Sequence, residues 1–272
     1  MAERPLEGAW GLILGASSGF GAATAIEVGR RGMHVVGVHL DRKATLHNVA
    51  RIEQDLTGFG VKARFFNVNA ADAVRRAEVV KALSALLAAD RGQPLRLVMH
   101  SLAFGTLRPL VAGGGGGDAG EPVTQAQLEM TLDVMANSLV YWVQDLLASK
   151  LIGSGTRVIA MTSAGGRRVI PSYGPVSAAK AALESHVRQL AVELAPYGVS
   201  VSCLRAGVAD TPALQRIPGH ERIAEEARRR NPASRLTVPE DVAGVVALLC
   251  GPEARWISGD VVGVDGGEDV VA

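Results

Sequence analysis

WGLILGASSGFG, residues 10 to 21, joins a short apolar run to a loop that contains three glycines. The run Trp10 to Leu14 predicts a buried strand, and a helix-length segment follows the loop. In such a unit Gly15 allows a tight turn, Gly19 lets the backbone approach a diphosphate, and Gly21 lets the helix pack close to the strand. Backbone N–H groups at the helix N-terminus can then bind the anion. The stretch therefore predicts a dinucleotide-binding βαβ unit.

The same alternation of strands and helices continues along the chain. The further strand candidates are His34–Val38, Lys62–Phe66, Leu95–His100, Thr156–Met161, Val199–Leu204 and Val261–Val264, with helices predicted at Gly21–Arg31, Ala44–Leu56 and Asp72–Ala89. Strands that alternate with helices form right-handed crossovers and a parallel sheet covered on both faces. The sequence predicts a Rossmann-type doubly wound α/β fold, with about seven parallel strands and with residues 1–272 in a single domain.

Two segments interrupt this alternation. Residues 112–120, AGGGGGDAG, are expected to form a flexible loop rather than a linker between domains, because the strand–helix pattern resumes directly after them. Residues 211–231 are polar and charged, and the run HERIAEEARRR within them is typical of a solvated helix face. They also follow the sixth strand, where a substrate-covering lid would lie.

Composition and charge exclude several kinds of partner. The chain has 28 Lys and Arg against 27 Asp and Glu, so no long-range field favours nucleic acid or an anionic membrane. Cys203 and Cys250 lie in apolar runs and predict buried thiols, with neither a disulfide framework nor a metal-ligand spacing. The sequence also lacks a secretory signal and an apolar stretch of membrane-spanning length. We expect a soluble cytoplasmic protein without a metal.

The end of the second strand bears on the choice between NAD and NADP. The stretch VHLDRK places His39 at the strand tip, followed by Asp41, Arg42 and Lys43. An acid at this position binds the ribose hydroxyls of NAD, whereas a base binds the 2′-phosphate of NADP. The adjacent pair of bases favours NADPH, and the planar fork of Arg42 suits a phosphate best. Asp41 can instead act as the acid that binds the ribose, which leaves NADH as the alternative cofactor, or it can simply cap the next helix.

SYGPVSAAK, residues 172–180, places Tyr173 and Lys180 seven positions apart at the start of a predicted helix. Since a helix advances about 1.5 Å and about 100° per residue, the two side chains share one face about 10.5 Å apart. A tyrosine and a lysine on one helix face beside a nucleotide site indicate hydride chemistry on a carbonyl compound. Ser163, at the end of the fifth predicted strand, is a further candidate for this site.

The glycine loop, Ser163, the Tyr/Lys pair and the ending VVGVDGG together resemble the short-chain dehydrogenase/reductase family, over about residues 8 to 270. That family has Tyr-x-x-x-Lys, with a serine thirteen residues before the tyrosine. In this sequence Val176 stands four residues before Lys180, and Ser163 stands thirteen before Val176. The serine and the lysine therefore keep the family register, while the tyrosine is displaced by three residues.

Other departures resemble the enoyl-acyl-carrier-protein reductases, most closely their NADPH-dependent, triclosan-tolerant branch. These are the Tyr-x6-Lys spacing, His100-Ser101-Leu102-Ala103 after the fourth strand, Ala206-Gly207 after the sixth, and the stretches GTLRPL and TPALQRIPGHERIAEEARRRNPASRL. The asparagine that the wider family has on the following helix is Met135 in this register, with Asn137 nearby.

This resemblance implies hydride transfer from NADPH to C3 of a trans-2-enoyl thioester, carried by acyl carrier protein or CoA, in fatty acid synthesis by a homotetramer. The negative charge then develops on the thioester oxygen, which lies farther from the reduced carbon than a ketone oxygen does. A tyrosine displaced by about one helical turn suits that oxygen. A short-chain reductase of ketones or alcohols, of 3-oxoacyl or hydroxysteroid type, and a non-catalytic NADP sensor are the alternatives.

The predicted site residues follow from the motifs and the resemblance. Tyr173 is expected to bind the enolate oxygen, Lys180 to hold the ribose and favour the ionised phenol, and Ser163 to donate a second hydrogen bond. The predicted cofactor-binding residues are Gly15, Ser17, Ser18, Gly19, Phe20, Gly21, Arg42, Asn67, Val68, Ser101, Leu102, Ala103, Lys180, Val208 and Thr211.

Overall fold

The strands form one parallel sheet. A computed structural model describes residues 4–90, 92–113 and 120–271. The strands are β1 (Trp10–Leu14), β2 (His34–His39), β3 (Ala63–Asn67), β4 (Leu97–His100), β5 (Arg157–Ser163), β6 (Ser200–Ala206) and β7 (Val261–Val264). Their order across the sheet is β3-β2-β1-β4-β5-β6-β7, and every neighbouring pair is parallel. The Rossmann-type single domain predicted from the sequence is confirmed.

Helices connect successive strands. They are α1 (Gly19–Arg30), α2 (Leu46–Gly58), α3 (Ala73–Ala89), α4 (Gln125–Leu132), α5 (Ser138–Ala148), α6 (Gly174–Leu194), α7 (Pro212–Gln215), α8 (His220–Arg230) and α9 (Pro239–Leu249). The predicted bounds shift where local chemistry intervenes. Asp72 caps α3 by accepting a hydrogen bond from the Arg75 N–H at 3.0 Å, and a 3₁₀ turn at Lys43–Thr45 delays the start of α2.

Both faces of the sheet are buried. Because successive side chains of a strand point to opposite faces, Leu12 and Leu14 of β1 join one hydrophobic core and Ile13 joins the other. The first core is completed by residues of α3, α5 and α6, and the second by residues of α1, α2 and α9. Each fully buried leucine contributes roughly 2 kcal/mol of hydrophobic stabilisation. The two cores hold the strands rigidly enough to position the loops at their carboxyl ends.

The sheet changes direction at β1. From this strand the chain first adds β2 and β3 on one side, and later adds β4 to β7 on the other. Such a reversal leaves a crevice at the carboxyl ends of the central strands, which is where ligands bind in doubly wound folds. The loops that start at Gly15, Ser101, Ala164 and Gly207 all leave this edge.

Three expectations concern parts of the chain away from this edge. Cys203 and Cys250 are buried free thiols, as predicted. Among the described residues, no helix is both long and apolar enough to cross a membrane. The loop predicted at 112–120 lies mostly outside the described residues.

Candidate active site

The predicted phosphate loop lies between the ends of β2 and β4. The N–H groups of Gly15 and Ala16 donate to the Val38 carbonyl oxygen, at 2.8 and 3.1 Å. Gly15 has a φ of +90°, and a Cβ there would collide with the Ser101 carbonyl oxygen. A Cβ at Gly21 would collide with the carbonyl oxygen of Gly15. Close backbone approach therefore requires both glycines, for the turn and for the packing of α1.

The N-terminus of α1 follows directly on this loop. Ser18 is its exposed N-cap, and the Ser18 side chain makes no capping hydrogen bond. Gly19 packs against Thr211 from the far side of the crevice, because a Cβ at Gly19 would lie 3.5 Å from Thr211 Cγ2. Phe20 packs against the core on the α1 face of the sheet. A glycine loop that ends at a helix N-terminus fits the diphosphate of a dinucleotide.

The end of β2 carries a hydrogen-bond network centred on Asp41. The His39 Nδ1 lies 2.8 Å from an Asp41 carboxylate oxygen, and Thr45 donates to the other oxygen. Burial raises the pKa of Asp41, but hydrogen bonds from Ser17, Thr45 and His39 outweigh it and hold this pKa below its usual value. The Asn67 side chain binds the N–H and the carbonyl of Asp41, at 2.9 and 3.0 Å. The Asp41 carboxylate is thus held within the protein.

The neighbouring predicted residues differ in what they contact. Arg42 is exposed and precedes the 3₁₀ turn. Val68 donates its N–H to the His39 carbonyl oxygen at 2.8 Å, which holds the ends of β2 and β3 together. The Ser17 hydroxyl is hydrogen-bonded to the Asp41 carboxylate, so it is already engaged within the protein and is not a free donor in the loop.

Lys180 is buried in the first half of α6. Its Nζ donates to the Met161 carbonyl oxygen at 2.7 Å and to that of Leu102 at 3.4 Å. Burial lowers the pKa of Lys180 to about 8, with Cys203 and Glu184 opposing the shift. The ammonium group therefore joins α6 to the ends of β4 and β5, where Leu102 was predicted to contact the cofactor. Ala103, beside Leu102, is exposed.

Tyr173 is the N-cap of α6, and its side chain is 9% exposed. Its ring lies against Gly165, since a Cβ at that glycine would come within 2.6 Å of Tyr173 Cε1. Ser172, just before it, has a φ of +61°, a strained conformation for a residue other than glycine. Ser163 and Tyr173 both contact Gly165, because the Ser163 Oγ accepts the Gly165 N–H at 3.1 Å and the Tyr173 ring packs on that glycine. Burial raises the pKa of the phenol, and hydrogen bonding to Ser163 opposes this rise.

One electrostatic expectation for this pair is wrong. We expected the Lys180 cation to favour the ionised phenol. Instead, burial raises the pKa of Tyr173, and the group that opposes this is the Ser163 hydroxyl, not the lysine. The reason is geometric: the ammonium is held by two backbone carbonyls on the β4 and β5 side of the helix. Tyr173 is therefore a neutral hydrogen-bond donor near pH 7.

Val176 occupies the position at which the wider family carries its tyrosine. It is 5% exposed and belongs to the core. A Cβ at Gly105, in the loop after β4, would lie 2.8 Å from Val176 Cγ2 and 2.7 Å from Met135 Sδ. The loop after β4 is thus packed directly on this part of α6. Position 176 is filled by a packed aliphatic side chain, and the tyrosine of this helix stands three residues earlier, at its N-cap.

A buried polar pair beneath Lys180 was not predicted from the sequence. His100 at the end of β4 is fully buried, and its Nε2 lies 2.9 Å from the Ser138 Oγ, which donates to the Val134 carbonyl oxygen at 2.8 Å. The His100 Nδ1 has no partner among the described residues. Burial, followed by the charge of Lys180, lowers the pKa of His100 to about 3. His100 is accordingly a neutral imidazole, and the tautomer protonated on Nε2 fits these bonds.

The helix above His100 is irregular. Asp133–Asn137 form a π-helical segment between α4 and α5. Such segments insert an extra residue into the helix and are frequent at functional sites. The insertion turns Met135 into the core against Gly105, whereas Asn137 contacts His186 of α6, with 3.1 Å between Asn137 Oδ1 and His186 Nε2. Met135 is therefore a core residue, and Asn137 links this segment to α6.

Comparison with known proteins agrees with this geometry. The sequence model of a family described as enoyl-(acyl carrier protein) reductase matches residues 15–268. The chain is 32% identical over 266 residues to 1-cyclohexenylcarbonyl-CoA reductase of Streptomyces collinus, covering 96% of this chain and 87% of that protein. It is 30% identical to the enoyl-[acyl-carrier-protein] reductase [NADH] of Aquifex aeolicus, over 71% of this chain and 69% of the relative.

A solved structure gives the same result for the fold. The crystal structure of enoyl-[acyl-carrier-protein] reductase (NADH) from Aquifex aeolicus superimposes with a TM-score of 0.82 at 25% identity, covering 98% of both chains. The fold and the sequence matches define an NAD(P)H-dependent oxidoreductase of the short-chain dehydrogenase/reductase class. Within that class, the chain belongs to the enoyl-(acyl carrier protein) reductase family.

The buried neutral state of His100 predicts an acid-sensitive fold. The unfolded chain binds a proton at His100 below about pH 6.5, whereas the folded protein does so only near pH 3. The free energy of unfolding therefore falls as the pH falls through this interval, by up to about 1.4 kcal/mol per pH unit from this residue. Urea unfolding of His100→Gln between about pH 5 and 6.5 should give a slope that is smaller by about 1 kcal/mol per pH unit, because the unfolded histidine is only partly protonated at the upper end of this range.

The control for this experiment is His47→Gln, a change at an exposed histidine of α2. The His47 variant should keep the pH slope of the unchanged protein. An unchanged slope in His100→Gln would mean that His100 is protonated in the folded protein.

Proposed function

We propose that this protein is an enoyl-thioester reductase, which adds the hydride of NADPH to C3 of a trans-2-enoyl chain on acyl carrier protein or CoA, in fatty acid synthesis. One observation carries the proposal. The buried Tyr173 phenol lies beside Ser163, while Val176 fills the ordinary tyrosine position with a packed aliphatic side chain. The hydrogen-bond donor is therefore displaced along α6 from its place in ketone reductases, as reduction of a carbon–carbon double bond next to a thioester requires.

Tyr173 stabilises the charge that forms on the substrate. The bound nicotinamide supplies the hydride, and hydride addition at C3 moves negative charge onto the thioester oxygen. Burial raises the pKa of the Tyr173 phenol further above neutrality, so the phenol keeps its proton and can donate a hydrogen bond to that oxygen. Ser163 is the second donor. A pre-positioned donor aimed at charge that develops in the transition state is worth about 10²- to 10³-fold in rate.

Lys180 binds the nicotinamide ribose in this proposal. An ammonium group has three N–H donors, and one of them is held by the Met161 carbonyl oxygen at 2.7 Å. The Leu102 contact is longer, at 3.4 Å, so it is the weaker of the two and can yield to ribose hydroxyls. With a pKa of about 8, Lys180 is mostly protonated at neutral pH and keeps all three donors.

Exposed apolar side chains in the loops after β4 and before Tyr173 suit an acyl chain. Phe104 and Leu110, in the loop after β4, are 52% and 58% exposed, and Val169, in the loop before Tyr173, is 99% exposed. A Cβ at Gly174 would come within 2.9 Å of Leu110 Cγ, so this loop lies directly over the start of α6. We assign these residues to the acyl site and segment 211–231, which contains α7 and α8, to its lid.

The relatives favour the same reaction class. The Streptomyces collinus relative is named as a reductase of a CoA-linked cyclohexenylcarbonyl group, and the Aquifex aeolicus relative as an enoyl-acyl-carrier-protein reductase. Both names describe reduction of an unsaturated thioester. The homotetramer that we propose rests on resemblance, and the exposed Trp256, in the 3₁₀ turn before β7, is available for subunit contacts.

NADPH is the proposed cofactor. The Asp41 carboxylate is bound by His39 and Thr45 and is hydrogen-bonded to Ser17, so its two oxygens are already engaged before any ribose arrives. Arg42 is exposed beside it and is free to turn toward a 2′-phosphate. The relative from Aquifex aeolicus is named for NADH, which makes the comparison of the two nucleotides a necessary part of the test.

A paired assay tests the reaction. Purified protein should oxidise NADPH with crotonyl-CoA and be much slower with acetoacetyl-CoA. Tyr173→Phe should lower kcat for crotonyl-CoA by about 100-fold or more, because the enolate oxygen loses its principal donor. Tyr197→Phe, at an exposed tyrosine just beyond the far end of α6, is the matched control and should retain full activity. Reduction of acetoacetyl-CoA alone would replace the proposal by a ketone reductase, and NADPH binding without turnover would replace it by a sensor.

The cofactor assignment predicts a selective effect at Arg42. Arg42→Ala should raise the KM for NADPH about 10- to 100-fold, since a charge-assisted contact to phosphate contributes about 1.5–3 kcal/mol. The KM for NADH should be unchanged, because NADH has no 2′-phosphate. Lys43→Ala is the control for loss of a neighbouring charge and should have a smaller effect. Equal changes for both nucleotides, or faster turnover of the unchanged protein with NADH, would contradict the assignment.

A further inference from the structure

The turn after β7 contacts three segments that surround the active site. Its acidic residues each meet a different part of the crevice. Asp269 pairs with Arg168, from the loop between Ser163 and Tyr173, at 2.8 Å, and with Arg205 of β6 at 3.2 Å. The Asp265 carbonyl oxygen accepts a hydrogen bond from Asn231, at the end of α8, at 2.9 Å. Residues 265–270 are therefore a shared support for these segments.

Glu268 makes the most buried of these contacts. It is 5% exposed, and its Oε2 accepts a hydrogen bond from the Val208 N–H at 3.0 Å. Its other oxygen, Oε1, lies 3.5 Å from an Arg230 nitrogen at the end of α8. A buried carboxylate without partners is costly, so these two contacts fix its position. Each oxygen of Glu268 thus has its own role: one holds the loop after β6, and the other holds α8.

The Val208 backbone is held at both its N–H group and its carbonyl group. Its N–H is taken by Glu268, and its carbonyl oxygen accepts the Thr237 N–H at 3.1 Å. Next to it, a Cβ at Gly207 would lie 2.9 Å from Glu268 Oε2 and would collide with Thr237 Oγ1. With both polar groups used inside the protein, Val208 has only its side chain to present to a cofactor. The position of that side chain depends directly on Glu268.

The same contacts determine where the proposed lid begins and ends. Thr211, at its start, is three residues beyond Val208 and packs on Gly19 of the phosphate loop. Arg230 and Asn231, at its end, are held by Glu268 and Asp265. The turn after β7 therefore connects the loop after β6, which leads into segment 211–231, to the end of that segment.

We propose that Glu268 is a positioning residue for the nicotinamide half of the cofactor site, acting through the Val208 peptide. The inference rests on the proposed NADPH function and extends it to a residue far from the glycine loop in sequence. The adenine half of the site, at Asp41 and Arg42, lies at the other edge of the crevice and has no contact with Glu268 in the described residues. Loss of Glu268 should therefore weaken the binding of one half of NADPH only.

The test compares two ligands by titration calorimetry. NADPH occupies both halves of the site, whereas 2′,5′-ADP carries only the adenine half with its 2′-phosphate. Glu268→Ala should raise the Kd of NADPH about tenfold or more, which corresponds to the loss of a buried hydrogen bond and the shift of its peptide. The Kd of 2′,5′-ADP should stay within about twofold, since its site does not depend on Glu268.

Conservative variants separate positioning from general stability. Glu268→Gln keeps an acceptor for the Val208 N–H and should restore NADPH binding to near the unchanged value. Asp269→Asn, in the same turn, removes the arginine pairs but leaves Val208 untouched, and should not alter the ratio of the two Kd values. If Glu268→Ala does not fold, Glu268→Asp gives the same comparison, because its carboxylate is one methylene too short to reach Val208.

Two results would overturn the inference. One is equal weakening of NADPH and 2′,5′-ADP by Glu268→Ala or Glu268→Asp, and the other is unchanged binding of both. If the unchanged protein binds neither ligand, the proposed dinucleotide function itself is wrong, and the role of Glu268 is refuted with it. The ligand titration of the unchanged protein thus distinguishes the two failures.

Discussion

The contact on which the active site depends is the hydrogen bond from the buried Lys180 ammonium to the Met161 carbonyl oxygen. It joins α6 to the end of β5 at 2.7 Å and, together with the buried face of the helix, fixes which side of α6 faces the crevice. With that side fixed, Tyr173 at the start of the helix faces Ser163, and Val176 faces the core. Burial also lowers the pKa of Lys180 to about 8, so this ammonium loses its proton more readily than an exposed lysine does.

The proposed reaction follows from which side chain of α6 can donate a hydrogen bond to a substrate. Position 176 is filled by a valine packed against Gly105, and burial raises the pKa of the phenol one turn earlier. The helix therefore offers a hydrogen-bond donor at a greater distance from the lysine than the Tyr-x-x-x-Lys arrangement does. This geometry matches a substrate whose charge develops away from the carbon that is reduced. The enoyl thioester is such a substrate, and the family to which the chain belongs is named for it.

Much of this could be predicted from the sequence, because the fold depends on local patterns. The apolar runs, the glycines at positions 15 and 21 and the spacing of Ser163, Tyr173 and Lys180 each act within one element or between two consecutive ones. What could not be predicted depends on contacts between distant elements. His100 with Ser138 and Glu268 with Val208 are pairs far apart in sequence, and the pKa of Tyr173 follows from packing that no spacing reveals.

The central claim is that hydride reaches C3 of an enoyl thioester, and isotope transfer measures this directly. The protein would be incubated with crotonyl-CoA and NADPH carrying deuterium at C4 of the nicotinamide, once for each face of the ring. The account predicts butyryl-CoA with one deuterium at C3 for one of the two labelled nucleotides, read by NMR of the product. No saturated product from crotonyl-CoA, together with deuterium on the hydroxyl-bearing carbon of 3-hydroxybutyryl-CoA made from acetoacetyl-CoA, would contradict it.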